Sequence, residues 1–158
     1  MINKDTIIID DWLEPSLADF LSEYLLSSIG YLAGHKSNSE DEGSFLFGHI
    51  QENDSLLSYL SYKIRLIQPV QILRVYTNLH YSNMGGTYHQ DDGDFTFLYM
   101  PSKGLKSDEA SFEIKDEGKF EYKFNRLIGF DANKFHKGNP PKQNLPRITL
   151  AFKTASIL

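Results

Sequence analysis

From Pro69 to the end of the chain, short runs of β-branched and aromatic residues alternate with turn sequences. This pattern is typical of antiparallel sheets, because each turn returns the chain beside the strand that it has just left. We predict six strands in this region: Val70–Asn78, Asp94–Met100, Ala110–Ile114, Phe120–Phe124, Leu127–Phe130 and Arg147–Lys153. Strands of this number and length favour a sandwich or a barrel.

The part of the chain before Pro69 carries helical patterns instead. A short strand is expected at 6–10, and Pro15 suits the first turn of a helix. The apolar residues predicted to face inward from this helix are Leu17, Phe20, Leu21, Tyr24 and Leu25. A second helix is expected at 54–67, with Leu57, Leu60, Ile64 and Ile67 facing inward. Helices followed by strands predict one domain over 1–158, with a helical buttress at about 12–67 and a β core at about 70–154.

The composition limits the kinds of site that the chain can build. It contains no cysteine, which excludes disulfides, zinc–thiolate sites, iron–sulfur clusters and thiol nucleophiles. Any metal must therefore be held by His, Asp or Glu. The net charge of −5 argues against nucleic acid or an anionic membrane as the main partner. We find neither a signal-peptide core nor an apolar segment of membrane-spanning length, and we expect a cytoplasmic protein, with a monomer as the default.

His89-Gln90-Asp91 is the first candidate metal-binding motif. On a strand, residues i and i+2 point to the same face, with backbones roughly 6–7 Å apart, so the imidazole and the carboxylate can converge on one ion. A surface turn is the alternative, because the acidic sequence DDGD overlaps the motif. A calcium loop is also conceivable, but the spacing does not match an EF-hand and its closing glutamate is missing.

His136 is the second candidate, because it follows a short apolar strand and a tight polar turn. Two histidines and one carboxylate form the facial triad that leaves three adjacent positions of an octahedral iron(II) ion open. A 2-oxo acid can occupy two of those positions, and dioxygen the third. The alternative is an isolated turn histidine, since the chain has three further histidines (His35, His49 and His80).

Arg147 and Thr149 share one face of the last predicted strand. The intervening positions carry the apolar Ile148 and Leu150. A guanidinium inside a barrel requires an anion, because an unpaired buried charge is costly, and arginine binds carboxylates in a two-pronged geometry. Taken alone, the arginine could equally lie on the surface at the start of a strand.

Phe95, Phe97 and Tyr99 share a face of the second predicted strand of the β region. A buried tyrosine hydroxyl normally has a hydrogen-bond partner, and the carboxylate bound by Arg147 is one candidate. A core tyrosine that is bonded to the backbone is the alternative.

Together these motifs resemble the Fe(II)/2-oxoglutarate-dependent oxygenase superfamily, in particular its short prolyl-hydroxylase-like members of bacteria and phages. The resemblance extends from about Val70 to Lys153. It rests on the ordered set Tyr88-His89-x-Asp91, TFLYM, NRLIGFDANKFHKGNPP and LPRITLAFK. Each motif is common by itself, whereas the four in this order and at this spacing are specific.

The resemblance implies a mainly β fold, a double-stranded β-helix (a cupin-like jelly roll) with helices packed on one sheet. It also implies a role for each matched residue. His89, Asp91 and His136 would be the catalytic iron ligands. The residues implied to bind the cosubstrate are Arg147, on the C5 carboxylate of 2-oxoglutarate, with Thr149, Tyr99 and Tyr81.

The activity implied is that of a dioxygenase that hydroxylates a C–H bond and releases succinate and CO2. The implied cofactors are Fe(II), 2-oxoglutarate and O2, with ascorbate as a reductant that such enzymes can use. A peptide or protein substrate, with proline as the reacting residue, is favoured. The alternatives are the same chemistry on a small molecule or nucleobase, and a non-catalytic cupin-like binding module. Nucleic acid is not expected as a partner, because a basic rim is lacking; a phage-encoded enzyme would work in the host cytoplasm.

Two features depart from the family pattern. Glu109-Ala110 replaces a frequent Gly-Gly pair, and Met100-Pro101 replaces a more usual Tyr-Leu pair. Neither change involves a ligand, but both affect the predicted shape of the substrate groove. The polar, glycine-bearing loops 34–44 and 101–109 are predicted to act as lids.

Overall fold

A computed structural model describes residues 5–35, 45–50, 54–106 and 108–157. Within these ranges, two helices and ten strands are formed in the order β1 (Ile7–Ile9), α1 (Pro15–Ser27), β2 (Tyr31–His35), β3 (Phe45–His49), α2 (Ser55–Ile67), β4 (Val70–His80), β5 (Phe95–Met100), β6 (Phe112–Ile114), β7 (Gly118–Phe120), β8 (Arg126–Asp131), β9 (His136–Gly138) and β10 (Arg147–Ser156). No helix in this part of the chain is both long and apolar enough to cross a membrane.

The strands form two antiparallel sheets. The larger sheet has the order β1-β8-β5-β10-β4-β3-β2, and the smaller one has the order β7-β6-β9. The longest strand pair of the larger sheet is β10 with β4, which runs from Arg147 opposite His80 to Ser156 opposite Val70. Non-consecutive neighbours in both sheets show the crossing connections of a jelly roll. The predicted fold class is therefore confirmed.

The main hydrophobic core lies between the larger sheet and the two helices. Outward-facing residues of β5 and β10, such as Phe97 and Phe152, pack in it against Leu21, Leu25 and Leu60 of the helices. A second, smaller core lies between the two sheets and contains Leu98, Phe112 and Phe130. The helices thus cover one face of the larger sheet, and its other face turns toward the smaller sheet.

The helix predictions agree with the structure in extent and differ at one side chain. Helix α1 begins at the predicted Pro15, and α2 is capped by Asp54, whose carboxylate accepts hydrogen bonds from the backbone N–H groups of Leu56 and Leu57. Phe20 was predicted to face inward, but 56% of its surface is exposed. Ala18 takes the inward position on α1 instead, and Phe20 stacks on Tyr24 at the surface.

The strand predictions differ from the structure in three places. The strand predicted at 120–124 lies earlier, as β7, and Tyr122 is buried outside any strand. Strands β2, β3 and β9 were not predicted. The strand predicted from Ala110 begins at Phe112, because Ala110 has a left-handed backbone with φ 61°.

The two predicted lid loops remain predictions. Most of loop 34–44 falls outside the described residues, since 36–44 are not among them. Loop 101–109 is described except for residue 107, and its first part is fixed to β10. The backbone N–H of Ile148 donates to Ser102 Oγ over 2.7 Å, and Ser102 is buried.

Candidate metal centre

The segment around His89 and strand β9 are held side by side by their backbones. His89 and His136 form an antiparallel bridge, in which each backbone N–H donates to the carbonyl of the other, over 3.0 and 2.9 Å. Two residues further, the N–H of Asp91 donates to the carbonyl of Ala132 over 2.9 Å. The tight turn that follows Asp91 depends on Gly93 with φ 93°, where a Cβ atom would lie 2.5 Å from the carbonyl oxygen of Thr154. These contacts bring three side chains that are distant in sequence to one place.

His89, Asp91 and His136 offer ligand atoms that all lie within 4.8 Å of one another. His136 Nε2 is 3.3 Å from Asp91 Oδ2, and His89 Nε2 is 3.7 Å from Asp91 Oδ1. The Nδ1 atom of each imidazole is bonded to a backbone carbonyl, that of Thr87 for His89 and that of Lys134 for His136. With Nδ1 as the donor to this carbonyl, Nε2 of each ring faces the carboxylate and would offer its lone pair to a bound metal ion. This donor set fits a divalent ion such as Fe(II) in a facial arrangement.

Lys153 and Thr96 hold the carboxylate of Asp91 in its position. The buried amine of Lys153 forms an ion pair with Asp91 Oδ2, and the Thr96 hydroxyl donates to the same oxygen over 2.8 Å. Burial by itself raises the pKa of Asp91, but the hydrogen bond with His136 and the charge of Lys153 outweigh it and hold this pKa well below its usual range. Burial, aided by the neighbouring His136, lowers the pKa of His89. A charged carboxylate and a neutral imidazole are the protonation states that bind a metal ion.

The guanidinium of Arg147 lies on the same inner face of the larger sheet. It is 1% exposed, its Nε donates to the carbonyl of Ala110 over 2.7 Å, and its Nη1 lies 3.4 Å from His80 Nδ1. Its Nη2 has no hydrogen-bond partner among the described residues. Burial lowers the pKa of Arg147 to about 10 and, together with the charge of Arg147, lowers that of His80 to about 3. The arginine is thus a buried cation beside a neutral imidazole, with one donor group unused.

A cavity of about 210 Å³ between the two sheets joins the three ligand residues to this arginine. The inner face of β10 lines it with Arg147, Thr149, Ala151 and Lys153, which confirms the predicted alternation along this strand. Asn78 also lines the cavity, and its Oδ1 has no hydrogen-bond partner among the described residues. An unused arginine donor at one end and three ligand atoms at the other suit an elongated anion that can also bind a metal.

Tyr99 and Tyr81 do not lie where the sequence analysis expects them. Tyr99 is on the outer face of β5, where its ring lies 5.3 Å from that of Trp12 in a tilted arrangement and its hydroxyl donates to Asn125 Oδ1 over 3.2 Å. Tyr81 packs against the same outer core. The expectation that these tyrosines line the cosubstrate pocket is wrong, because the inner face of β5 presents Thr96 and Leu98 instead. The tyrosine that the structure brings to Arg147 is Tyr122, whose ring lies 5.4 Å from the guanidinium carbon.

The residues around the cavity that were not predicted as site residues include the polar Thr96, Asn78, His80 and Lys153. For Lys153 a signal exists, since it shares the alternating face of Arg147 and Thr149 on β10. A lysine that faces inward between two sheets requires a carboxylate partner, so this alternation could have indicated it. His80 and Asn78 lie at the end of β4 opposite Arg147 and Thr149, and only the register of the two strands reveals this.

Neither a family model nor a curated protein matches the sequence. Several solved structures match the fold. A viral collagen prolyl hydroxylase from Paramecium bursaria Chlorella virus-1, in its 2-oxoglutarate complex, is 15% identical with a TM-score of 0.68, over 96% of both chains. A prolyl hydroxylase from Trichoplax adhaerens, in complex with a hypoxia-inducible-factor peptide fragment, is 18% identical with a TM-score of 0.63, over 95% of this chain and 84% of that one.

A third match is HygX from Streptomyces hygroscopicus, with nickel, 2-oxoglutarate and hygromycin B bound. It is 8% identical with a TM-score of 0.67, over 93% of this chain and 81% of that one. One of these structures contains a peptide fragment and another contains hygromycin B, so the likeness in fold does not decide between a peptide and a small-molecule substrate for this chain. The fold of this chain, with its His–Asp–His cluster between two sheets, is the fold of the prolyl-hydroxylase-like 2-oxoglutarate–Fe(II) oxygenases.

Proposed function

We propose that the protein is an Fe(II)- and 2-oxoglutarate-dependent dioxygenase that hydroxylates a C–H bond of a peptide, with proline as the favoured residue. The observation that carries this proposal is one cavity with two ends. His89, Asp91 and His136 converge at one end, and the guanidinium of Arg147 is buried at the other. A binding module that had lost its chemistry would not need a buried cation with an unused donor in the same cavity, because such a group destabilises the fold.

His89 and His136 are proposed to bind Fe(II) through Nε2, and Asp91 through Oδ1. Lys153 and Thr96 both occupy Oδ2, which favours single-oxygen ligation and keeps the carboxylate from turning. The bound iron, with 2-oxoglutarate and O2, supplies the oxidising power for C–H hydroxylation, and the cosubstrate leaves as succinate and CO2. The protein residues keep the ligands on one side of the ion and leave the other side open to the cavity.

Arg147 is proposed to bind the C5 carboxylate of 2-oxoglutarate through Nη2 and Nη1. The neutral His80 beside it leaves the guanidinium charge available to the ligand, and the hydroxyl of Thr149 lies on the same face of β10. A charge-assisted pair of this kind contributes about 1.5–3 kcal/mol in a buried site. The carboxylate also removes the cost of leaving an arginine donor without a partner.

The peptide assignment is supported by the likeness to two prolyl hydroxylases that cover nearly the whole chain. One of these enzymes is in complex with a peptide fragment. The likeness to HygX supports a small-molecule substrate instead, and a substrate screen decides between them. The screen compares proline-containing peptides, free amino acids and aminoglycosides for succinate release above the rate without substrate.

The oxygenase proposal is tested with a matched pair of carboxylate variants. Asp91→Asn removes the charge of a proposed iron ligand, whereas Asp19→Asn makes the same change on the exposed side of α1, where Asp19 is paired with Lys103. Calorimetric titration with Mn(II), followed by 2-oxoglutarate, measures both binding steps without turnover. We expect Asp91→Asn to lose metal binding by about tenfold or more and to release no succinate with Fe(II) and O2, and Asp19→Asn to keep both properties. Equal metal affinity in the two variants would contradict the assigned centre.

A further inference from the structure

The cavity that contains the three proposed iron ligands and Arg147 is called the iron-site cavity below. A second, larger cavity lies next to it and plays no part in the function proposed above. It is a groove of about 630 Å³ between helix α2 and the first half of strand β4. Ser58, Ser61 and Arg65 line it from the helix, and residues 72–76 line it from the strand. The groove is three times as large as the iron-site cavity.

The strand side of the groove is a part of β4 that no described strand covers. Strand β3 pairs with β4 only from His49 opposite Tyr76 to Leu46 opposite Leu79. Residues 70–75 of β4 therefore have no described strand on this side. A bulge at Leu73, where the register with β10 shifts, limits any added ladder to a few bonds. An extended chain can still bond to these backbone groups, and side-chain contacts would then determine specificity.

The groove shares lining residues with the iron-site cavity. Arg74 and Tyr76 line both the groove and the iron-site cavity. Arg74 lies opposite Lys153 in the β10–β4 pair, and the amine of Lys153 contacts the carboxylate of Asp91. A ligand in the groove is thus separated from a proposed iron ligand by only the side chains of one strand pair.

The charged side chains that line the groove are cationic. Arg65 and Arg74 line it, and its described lining includes no aspartate or glutamate. Arg74 is held at the entrance by Asp92, over 2.5 Å, while Arg65 has no ion pair among the described residues. Arg65 is therefore the groove cation left for a ligand, and with no aspartate or glutamate in the described lining it favours an acidic ligand.

We propose that this groove is the substrate-docking site and that it holds an acidic peptide in extended form, which sends one side chain past Arg74 and Tyr76 toward the iron. The inference rests on the proposed function and adds to it the location and the charge of the substrate. Backbone groups of β4 fix the direction of the peptide, and Arg65 binds an acidic residue a few positions away from the reacting one.

The test uses the full chain loaded with Mn(II) and 2-oxoglutarate. The probes are three fluorescein-labelled peptides of about twelve residues, in which proline alternates with glutamate, serine or lysine. Fluorescence anisotropy measures their dissociation constants. We expect the glutamate peptide to bind about tenfold more tightly than the serine peptide, and the lysine peptide to bind most weakly.

Two groove variants and two matched controls locate the binding. Arg65→Glu reverses a groove charge, and Ser58→Trp fills the groove with an indole. Lys119→Glu makes the same charge change on the smaller sheet, and Tyr62→Trp adds an indole to a residue of α2 that is 55% exposed and lies outside the groove. Both groove variants should weaken the glutamate peptide by about tenfold, while the two controls bind it like the wild type.

The proposal is overturned if none of the peptides binds, if the three bind equally, or if the groove variants bind like their controls. Succinate release by the wild type, measured with the same peptides, tests the proposed function separately. If the glutamate peptide binds in the groove without stimulating succinate release, the docking site stands and the peptide hydroxylase does not. If it stimulates release but is insensitive to the groove variants, the hydroxylase stands and the docking site does not.

Discussion

Gly138 lies so close to the guanidinium of Arg147 that even a methyl group at this position would press against it. A Cβ atom at this position would be 3.0 Å from Nη1 and 3.2 Å from Nη2 and from the guanidinium carbon. The guanidinium cannot move far, because Tyr122 and the carbonyl of Ala110 confine it from other sides. The position of the guanidinium in the cavity therefore depends on glycine at residue 138 as well as on the side chains that contact Arg147.

Gly138→Ala is expected to weaken 2-oxoglutarate binding by about tenfold, because the methyl group displaces the arginine donors by a few tenths of an ångström. Titration of the Mn(II)-loaded protein with 2-oxoglutarate measures this change. Gly30→Ala is the control, since a Cβ atom at Gly30 would contact nothing within 4 Å. An unchanged affinity in Gly138→Ala would mean that the arginine donors do not contact the cosubstrate.

Arg147→Met is expected to separate binding from stability. It removes the buried charge but fills a similar volume, so 2-oxoglutarate affinity should fall by about 1.5–3 kcal/mol, whereas the free energy of unfolding should stay constant or rise. Burial that lowers the pKa of Arg147 to about 10 indicates that the charge costs free energy in the folded protein. Calorimetry measures the affinity, and urea unfolding without ligand measures the stability. A large loss of stability would show that Arg147 is mainly structural.

Strand β10 contributes to both faces of the larger sheet, the inner face that lines the cavity and the outer face that packs against the helices. It pairs with β4 on one side and β5 on the other, and all but its last two residues are buried. Its inner positions carry Arg147 and Lys153 to opposite ends of the cavity, while Ile148, Leu150 and Phe152 face the helices. A shift of one residue in its register would exchange these two faces and destroy both the core and the site.

Asn125 fixes the connection between the sheet and the segment that precedes α1. It is buried with a left-handed backbone of φ 63°, and its amide group bonds to the backbone N–H and carbonyl of Leu13 and to the Tyr99 hydroxyl. Asn125→Gly tolerates the backbone conformation but removes these bonds, and should reduce the free energy of unfolding by about 2–4 kcal/mol. Asn125→Ala should lose about 1 kcal/mol more, because alanine resists positive φ.

Urea unfolding of both variants measures these losses, with Tyr99→Phe as a third variant that removes only one of the bonds. The expected order of stability is wild type, Tyr99→Phe, Asn125→Gly, Asn125→Ala. If the glycine variant were as stable as the wild type, the three bonds would contribute nothing beyond what water replaces.

The sequence could predict β10 because its polar and apolar residues alternate, and alternation reveals which residues share a face. The strand β5 was also predicted, but the face that it turns toward the cavity was not, since all six of its residues are buried and five of them are apolar. Phe95, Phe97 and Tyr99 were correctly placed on one face, but nothing local says that this face meets the helices. The error over Tyr99 follows directly, because the sheet partner and not the strand determines which side is the cavity.

Strands β2 and β3 were missed because each has only five residues and the two lie on either side of a long polar stretch. Such a stretch predicts a loop. Alternation along β10 indicates that Lys153 faces inward, but the identity of its partner, Asp91, could not be predicted, because a contact between distant segments leaves no local pattern. The ligand triad was predictable for a different reason. Its residues occur in an order and at spacings that a known family shares, so resemblance supplied what local physics could not.

At the scale of the whole molecule, stability and function occupy opposite faces of one sheet. The outer face packs a continuous apolar core against both helices, whereas the inner face carries polar side chains around a cavity. Buried charges such as Arg147 and Lys153 weaken the fold, and the core on the other face must offset them. The jelly roll allows this arrangement, because the outer layer holds the sheet rigid while the second sheet closes over the site.

The same arrangement predicts how the metal-free protein responds to acid. His80 has a pKa of about 3 in the folded state, against 6.5 for an ordinary histidine, because of its burial and the charge of Arg147. Above pH 6.5 the imidazole is neutral in both states and has no effect on stability. Below this pH the unfolded chain takes up a proton that the folded protein does not, so the free energy of unfolding falls until the pH reaches about 3.

His80→Gln removes this titration and keeps a group that can accept from Arg147. Between pH 7 and pH 5, wild-type stability should therefore fall by about 2 kcal/mol more than that of the variant. Urea unfolding in the presence of EDTA at the two pH values measures the difference. His89 also has a lowered pKa, but it is present in both proteins and cancels from the comparison. Equal losses would mean that His80 accepts a proton in the folded state, and the guanidinium of Arg147 would then lie too far away to repel it.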